Sequence, residues 1–108
     1  MAIPDFQSIM LPLLKLAEDG DIHNFHEVVD KLENEFGLSD DEISTLIPSG
    51  QPRFENRVDW AKTYLKKSGL IIYPKRGHLQ ITQRGKEVLE ENPQTIDMDY
   101  LKRFPEYV

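Results

Sequence analysis

The 108-residue sequence contains no cysteine and no long apolar run. Without thiols it forms neither a disulfide framework nor a thiolate metal site, and their absence permits a reducing, cytoplasmic location. No apolar stretch approaches the roughly 18 residues that a membrane-spanning helix needs. The opening MAIPDFQSIMLPLL carries acidic Asp5 and lacks a basic start, so it is a poor signal peptide. We therefore expect one small cytoplasmic domain with no membrane partner.

Positive charge is scarce in the first half of the chain and concentrated in the middle. Residues 1–50 hold 2 Lys/Arg against 11 Asp/Glu, whereas residues 51–90 hold 9 Lys/Arg against 4 Asp/Glu. The formal net charge of -6 argues weakly against a nucleic-acid partner. Affinity for phosphate nevertheless depends on local potential, because physiological salt screens charges over roughly 8 Å. The central segment therefore favours nucleic acid even though the whole chain is acidic.

Apolar spacing, capping residues and turn residues predict the order helix, helix, helix, helix, hairpin, helix. The predicted helices cover about residues 4–17, 24–37, 39–47, 53–68 and 82–92. Two β-rich runs, residues 70–73 and 79–82, flank a Pro-Lys-Arg-Gly-His turn, so the hairpin has a basic tip. This order predicts a mainly α fold with a small β-hairpin, a winged helix, which is a helix-turn-helix variant. In that fold the last helix before the wing enters the major groove of DNA.

Ten side chains of this helix and wing are candidate DNA contacts. Arginine and asparagine suit bidentate contacts to base edges, whereas lysine mostly neutralises phosphates. Lysine-rich helix faces are also common as ordinary solvated surfaces, so the residues alone leave both interpretations open. The candidates are Arg53, Asn56, Arg57, Lys62, Thr63, Lys66 and Lys67 of the helix, with Lys75, Arg76 and His78 of the wing.

The helical wheel separates these candidates by direction. Asn56, Thr63 and Lys67 point outward most directly, whereas Lys62 lies nearer the core edge and is expected to snorkel. Arg57 lies on the opposite shoulder, where it could equally pair with an acidic residue. Asp59 on the same outer face counts against tight binding, because it would lie near phosphates.

Other chemistry has little support in the sequence. His23 and His26 have a spacing that can bind a metal, but no third ligand is marked out, and a helix-start pair is the better interpretation. No glycine-rich phosphate loop is present, and Ser49 has no nucleophile context. We expect no metal and no cofactor. Trp60 and Tyr64 could stack on bases, but packing against the wing or a neighbouring helix is the more ordinary role.

Five segments, taken in order, resemble the N-terminal domain of Mrr-type restriction proteins: IPDFQSIMLPLLKL, IPSG, RFENRVDWAKTYLKKSGLI, KRGHLQITQRGKEVL and RFPEY. Each is weak alone, but together they span nearly the whole chain. The resemblance implies a winged-helix module placed before a nuclease domain in a bacterial or archaeal protein that cuts DNA bearing foreign methylation. It implies that residues 1–93 form a DNA-binding domain and residues 94–108 a tail leading to a catalytic domain.

The resemblance also defines what catalysis would need. Nucleases of that class carry an acidic residue two positions before a lysine, and no lysine of this chain is preceded that way. We therefore expect the chain to be a non-catalytic targeting domain of a modification-dependent, type IV restriction endonuclease. Its expected partners are double-stranded DNA and a C-terminal nuclease domain, with homodimerisation left open. The alternative is a winged-helix interaction or dimerisation module that does not bind DNA, which the negative total charge would suit.

Overall fold

The computed structural model describes residues 3–104. Its helices are α1 (Phe6–Leu16), α2 (Phe25–Phe36), α3 (Asp40–Ser44), α4 (Arg53–Lys67), α5 (Gln83–Glu90) and α6 (Met98–Leu101). Its strands are β1 (His23–Asn24), β2 (Ile71–Ile72) and β3 (His78–Ile81). The predicted fold class is confirmed, since helices dominate and a small antiparallel sheet follows α4.

Helix starts follow the predicted capping residues. Asn24 accepts hydrogen bonds from two backbone N–H groups of α2, and Ser39 and Glu42 form a reciprocal capping box on α3. The Thr82 side chain accepts from the backbone N–H of Gly85 and so begins α5. These side chains satisfy N–H groups that the first turn of a helix leaves without partners. Local sequence therefore determines where each of these helices begins.

The core is built chiefly where α1 packs along α4. Ile9 and Leu13 of α1 and Val58 and Leu65 of α4 are fully buried. Their spacings of four and seven residues place each pair on one face of its helix. The apolar side of α4 thus packs against the core, so its opposite face is left for solvent or a ligand.

The hairpin is part of a three-stranded sheet with the order β1-β3-β2. Ile71 pairs with Ile81 within the hairpin, while His23 and Asn24 of β1 pair with Leu79 and His78 on the other edge of β3. Sequence reasoning missed β1, because two residues are too few to show an alternating pattern. The β1 pairing attaches the wing to the start of α2.

The chain after α5 returns to the core. Ile96 and Leu101 are fully buried, and the Asp97 side chain accepts a hydrogen bond from the backbone N–H of Tyr100, which caps α6 at its start. The predicted domain boundary at residue 93 stays a prediction. No helix in the described part of the chain is long and apolar enough to cross a bilayer.

Candidate nucleic-acid interface

The outer face of α4 lies between two different flanks. One flank faces the wing, and the other faces the start of α1. Successive side chains turn by about 100° around a helix, so residues four or seven positions apart lie on the same side. Lys62 and Lys66 therefore project toward the wing, whereas Arg57 and Tyr64 project toward α1. The structure confirms this division through the contacts described below.

The wing flank contains a pocket of about 280 Å³ between α4, the wing and the start of α2. We call it the wing pocket. Its polar and aromatic lining consists of Phe25, Lys62, Tyr73, Lys75, Arg76 and His78. Four of the ten sequence-predicted candidates therefore meet in one place, although they come from two elements.

Lys62 is held at the base of the wing pocket by three contacts. Its Nζ lies 3.3 Å from Oδ1 of Asp59. The same ammonium lies 4.7 Å from the ring centroid of Phe25 and 4.9 Å from that of Tyr73. Only 22% of the side chain is exposed. Its aliphatic stem therefore lies along apolar surface while its charge faces the pocket, as expected for a snorkelling lysine.

Tyr73 joins the wing to the cationic side of α4. The Nζ atom of Lys66 lies 5.3 Å from the Tyr73 ring centroid, so two lysines share one aromatic face region. Burial raises the pKa of the Tyr73 phenol above its usual value, which keeps the ring neutral at physiological pH. A neutral ring attracts ammonium groups through its quadrupole. Sequence reasoning did not single out Tyr73, whose only signal was its position before the basic turn.

The first half of α4 is acidic on the same flank. Gln51 donates hydrogen bonds from Nε2 to Glu55 (3.2 Å) and Asp59 (3.1 Å), and its carbonyl oxygen accepts one from Asn56 at 3.1 Å. His26 Nδ1 lies 3.6 Å from Glu55. Gln51 thus gathers two carboxylates on the side of α4 that continues toward the wing. Positive potential is accordingly concentrated at the C-terminal half of α4 and at the wing, rather than along the whole helix.

The other flank anchors α4 to the start of α1. Nη1 of Arg57 donates to the backbone carbonyls of Ile3 (2.7 Å) and Pro4 (3.1 Å). Sequence reasoning had considered an acidic partner for Arg57, and the structure instead uses its guanidinium to bind backbone oxygens. Such charge-assisted bonds to the start of α1 indicate a structural role.

Three aromatic rings stack along this α1 flank. Phe6 stacks on Tyr64 with centroids 5.4 Å apart, and Tyr64 stacks on Trp60 at 6.2 Å. These rings, with Asn56 and Arg57, line an open groove of about 340 Å³. Trp60 remains 50% exposed at the outer end of the stack. The pair Trp60 and Tyr64 therefore packs toward α1 and not toward the wing.

The ten candidates can now be sorted by their surroundings. Four line the wing pocket, and Thr63 and Lys66 lie beside it on α4, whereas Asn56 and Arg57 face the α1 groove. Lys67 lies over the Tyr64 ring at 5.8 Å. Thr63 donates its hydroxyl to the backbone carbonyl of Asp59, and His78 Nδ1 lies 2.8 Å from the Arg76 carbonyl. The cations that take part in no ion pair among residues 3–104 include Arg53, Lys66, Lys67, Lys75 and Arg76.

The acidic first half does not neutralise these cations. The only described carboxylate that pairs with a candidate is Asp59 of α4 itself, with Lys62. Within residues 3–104, no group of three or more His, Cys, Asp or Glu residues could hold a metal ion. His23 Nε2 lies 2.8 Å from Oδ1 of Asp19, and His26 Nδ1 lies 3.6 Å from Oε1 of Glu55.

Comparisons with known proteins agree with the resemblance read from the sequence. The family model described as the Mrr N-terminal domain matches residues 6–91. The chain is 30% identical over 97 residues to the type IV methyl-directed restriction enzyme EcoKMrr of Escherichia coli (strain K12). That alignment covers 89% of this chain and 32% of the relative, so the chain spans about a third of that protein's length. No solved structure matches the chain significantly.

Proposed function

This chain belongs to the Mrr N-terminal domain family, and we propose that it binds duplex DNA through α4 and the wing. In this proposal the domain directs a restriction protein to DNA and performs no catalysis itself. A winged helix places the helix before its wing in the major groove and the wing on the flanking backbone. In this chain those elements are α4 and the turn between β2 and β3.

One observation carries this proposal. Lys66, Lys75 and Arg76 take part in no ion pair among residues 3–104. Lys75 and Arg76 line the wing pocket together with Lys62, and Lys66 lies beside it, with Nζ 5.3 Å from the Tyr73 ring centroid. Cations that lack carboxylate partners keep their full attraction for phosphate, because no internal pair has to be broken. Phosphate contacts supply most of the affinity that a protein has for any DNA sequence.

The proposed contacts divide by chemistry. Lys66, Lys67, Lys75 and Arg76 would neutralise phosphates, and Arg53 would approach the backbone at the N-terminal end of α4. Asn56 is the candidate for a base edge, because its amide can donate and accept at once. Its Nδ2 donates to Gln51 in the absence of DNA, so reading a base would require it to exchange that partner. Arg57 is left out of this set, because its guanidinium binds the start of α1.

The wider role follows from the relative. EcoKMrr is described as a methyl-directed restriction enzyme, and this chain corresponds to 32% of it. We infer that this domain would operate beside a nuclease domain in a protein of that kind, cleaving modified foreign DNA. The acid-x-lysine pattern expected of such nucleases does not occur in the chain, which agrees with a targeting role.

A charge-matched comparison tests the proposal. Lys75→Ala with Arg76→Ala removes two proposed phosphate contacts, and Lys15→Ala with Lys31→Ala removes two exposed cations from the acidic half. We expect the first pair to weaken binding to all duplex sequences by roughly 60-fold at 0.1 M salt, since each phosphate contact is worth about 0.9 log units per decade of salt. The control pair should change affinity little. Fluorescence anisotropy with labelled duplexes measures both, and equal weakening by the two pairs would contradict the proposal.

The α1 groove favours a second candidate function. Trp60 is half exposed at the end of the stack with Tyr64 and Phe6, and such an aromatic face is typical of a protein contact. In this alternative the domain contacts a protein and does not bind DNA. Sedimentation velocity tests it: concentration-dependent association that Trp60→Ala abolishes, together with no DNA binding in low salt, would favour the alternative.

A further inference from the structure

The wing pocket has features of a preformed anion site. Its wall is rigid because the backbone N–H of Phe25 donates to the Gly77 carbonyl at 2.9 Å, and Asn24 pairs with His78 in the sheet. His78 also contacts the Arg76 carbonyl at 2.8 Å, which fixes the turn. A site that is already ordered loses less entropy when a ligand binds.

Lys62 provides a fixed positive charge at the base of this pocket. Two aromatic rings and Asp59 hold its ammonium in position. An ammonium has three N–H donors, and the Asp59 oxygen 3.3 Å away cannot accept hydrogen bonds from all of them. Lys75 and Arg76 line the same pocket as Lys62. Three cations therefore converge, against the single carboxylate that contacts Lys62.

The ring faces in the pocket are not available to a nucleobase. A base would have to stack on Phe25 or Tyr73, but the Lys62 ammonium already lies within 5 Å of both ring centroids. Lys62, Lys75 and Arg76 supply N–H donors to the lining of the pocket. That chemistry suits a tetrahedral oxyanion, because ammonium and guanidinium groups bind phosphate oxygens with short, charge-assisted hydrogen bonds.

We propose that the wing pocket binds one phosphate group, with Lys62 at its base and Lys75 and Arg76 closing over it. The proposal deepens the proposed DNA-binding function and rests on it for the source of the phosphate, a backbone phosphate of duplex DNA. Free inorganic phosphate offers the same oxygens and is the alternative source. If the phosphate belongs to DNA, Lys62 contacts DNA, although the helical wheel alone places this residue near the edge of the core.

The salt dependence of DNA binding tests Lys62 directly. Lys62→Met keeps the aliphatic packing and removes the charge, while Lys31→Met makes the same change on an exposed face of α2. We expect the slope of log K against log salt to become shallower by about 0.9 for Lys62→Met and to stay unchanged for Lys31→Met. Lys62→Arg, which keeps the charge, should retain the wild-type slope. An unchanged slope in Lys62→Met would overturn the pocket proposal while leaving DNA binding intact.

A second measurement needs no substituted protein and separates the two sources. The unaltered 108-residue chain is titrated with sodium phosphate, then with sodium chloride at equal ionic strength, while NMR follows the lysine and arginine side-chain N–H signals. We expect phosphate to move the signals of Lys62, Lys75 and Arg76 selectively, and chloride not to do so. Uniform movement of all lysines would overturn the pocket.

The two experiments together distinguish the possible failures. If duplex DNA does not bind but phosphate moves the pocket signals, the proposed DNA-binding function fails and the pocket takes its phosphate from another source. If neither ligand acts, both proposals fail.

Discussion

Replacing Asp59 by asparagine should tighten DNA binding, because this carboxylate lies on the proposed interface. Its Oδ1 is 3.3 Å from Lys62 Nζ, and its Oδ2 accepts from Gln51 at 3.1 Å. Asparagine keeps an oxygen for Gln51 but removes the negative charge. Lys62 then becomes available to a phosphate without competition, and the approaching backbone meets one less carboxylate.

The expected magnitude follows from the repulsion that is removed. Lys62 already counts as one phosphate contact, so the salt slope should stay near that of the unaltered chain, and loss of the carboxylate beside a bound phosphate should be worth up to about 1 kcal/mol, or roughly 5-fold tighter binding. The fold itself should hardly respond. Loss of the ion pair between Asp59 and Lys62, three residues apart on α4, costs about 0.3–0.5 kcal/mol. Relief of the like-charge pair with Glu55, four residues earlier, offsets a similar amount.

The assay is fluorescence anisotropy with a labelled duplex over a series of salt concentrations. Asp30→Asn is the matched control, because it removes one exposed carboxylate from α2. Asp59→Asn alone should bind the duplex more tightly, with a salt slope near that of the unaltered chain. Weaker binding by Asp59→Asn, or equal tightening by the two variants, would show that Asp59 does not face bound DNA and would refute the reasoning.

Three further predictions concern the scaffold. Arg57→Met should lower the free energy of unfolding by about 1.5–3 kcal/mol, because charged hydrogen bonds to two carbonyls are lost, yet leave the salt slope for DNA unchanged. Urea denaturation and anisotropy measure the two effects, and a shallower slope would return Arg57 to the interface. Gly85→Ala should lower the free energy of unfolding, measured by urea denaturation, by about 2 kcal/mol. The added Cβ would lie 2.4 Å from the Leu70 carbonyl oxygen, and the resulting strain exceeds the roughly 1 kcal/mol gained in helix propensity. Unaltered stability would contradict the packing of α5. Asp5 caps α1, and the hydrogen bond from the backbone N–H of Ser8 holds the pKa of the Asp5 carboxyl below its usual value. The cap therefore stabilises the fold above about pH 4, and this stabilisation is lost as pH falls through the pKa of the folded state. Asp5→Ala should therefore cost about 1 kcal/mol at pH 7 and progressively less in acid, and a difference from wild type that is constant with pH would refute this.

The helices were predictable because their signals are local. Capping side chains such as Asn24, Ser39 and Thr82 act on the next three residues, so the printed sequence contains both partners. The buried arc of α4 was equally readable from its 3.6-residue period. Strand β1 was not, since its two residues become a strand only by pairing with Leu79 and His78, more than fifty positions later.

The candidate site was predictable in composition but not in arrangement. Sequence reasoning identified the basic residues of helix and wing, and it expected Lys62 to lie near the core edge. It could not show that Tyr73 and Phe25 hold that lysine, because the two rings meet it only after the sheet forms. Nor could it show that Arg57 binds the backbone of Ile3, a contact across 54 positions of sequence.

The most direct test of the account is the affinity of the unaltered chain for duplex DNA as a function of salt. If three to five of its cations contact phosphates, log K should fall with log salt at a slope of about -2.7 to -4.5. A slope near zero, or no binding at low salt, would contradict the claim that the cations of α4 and the wing form a DNA-binding surface.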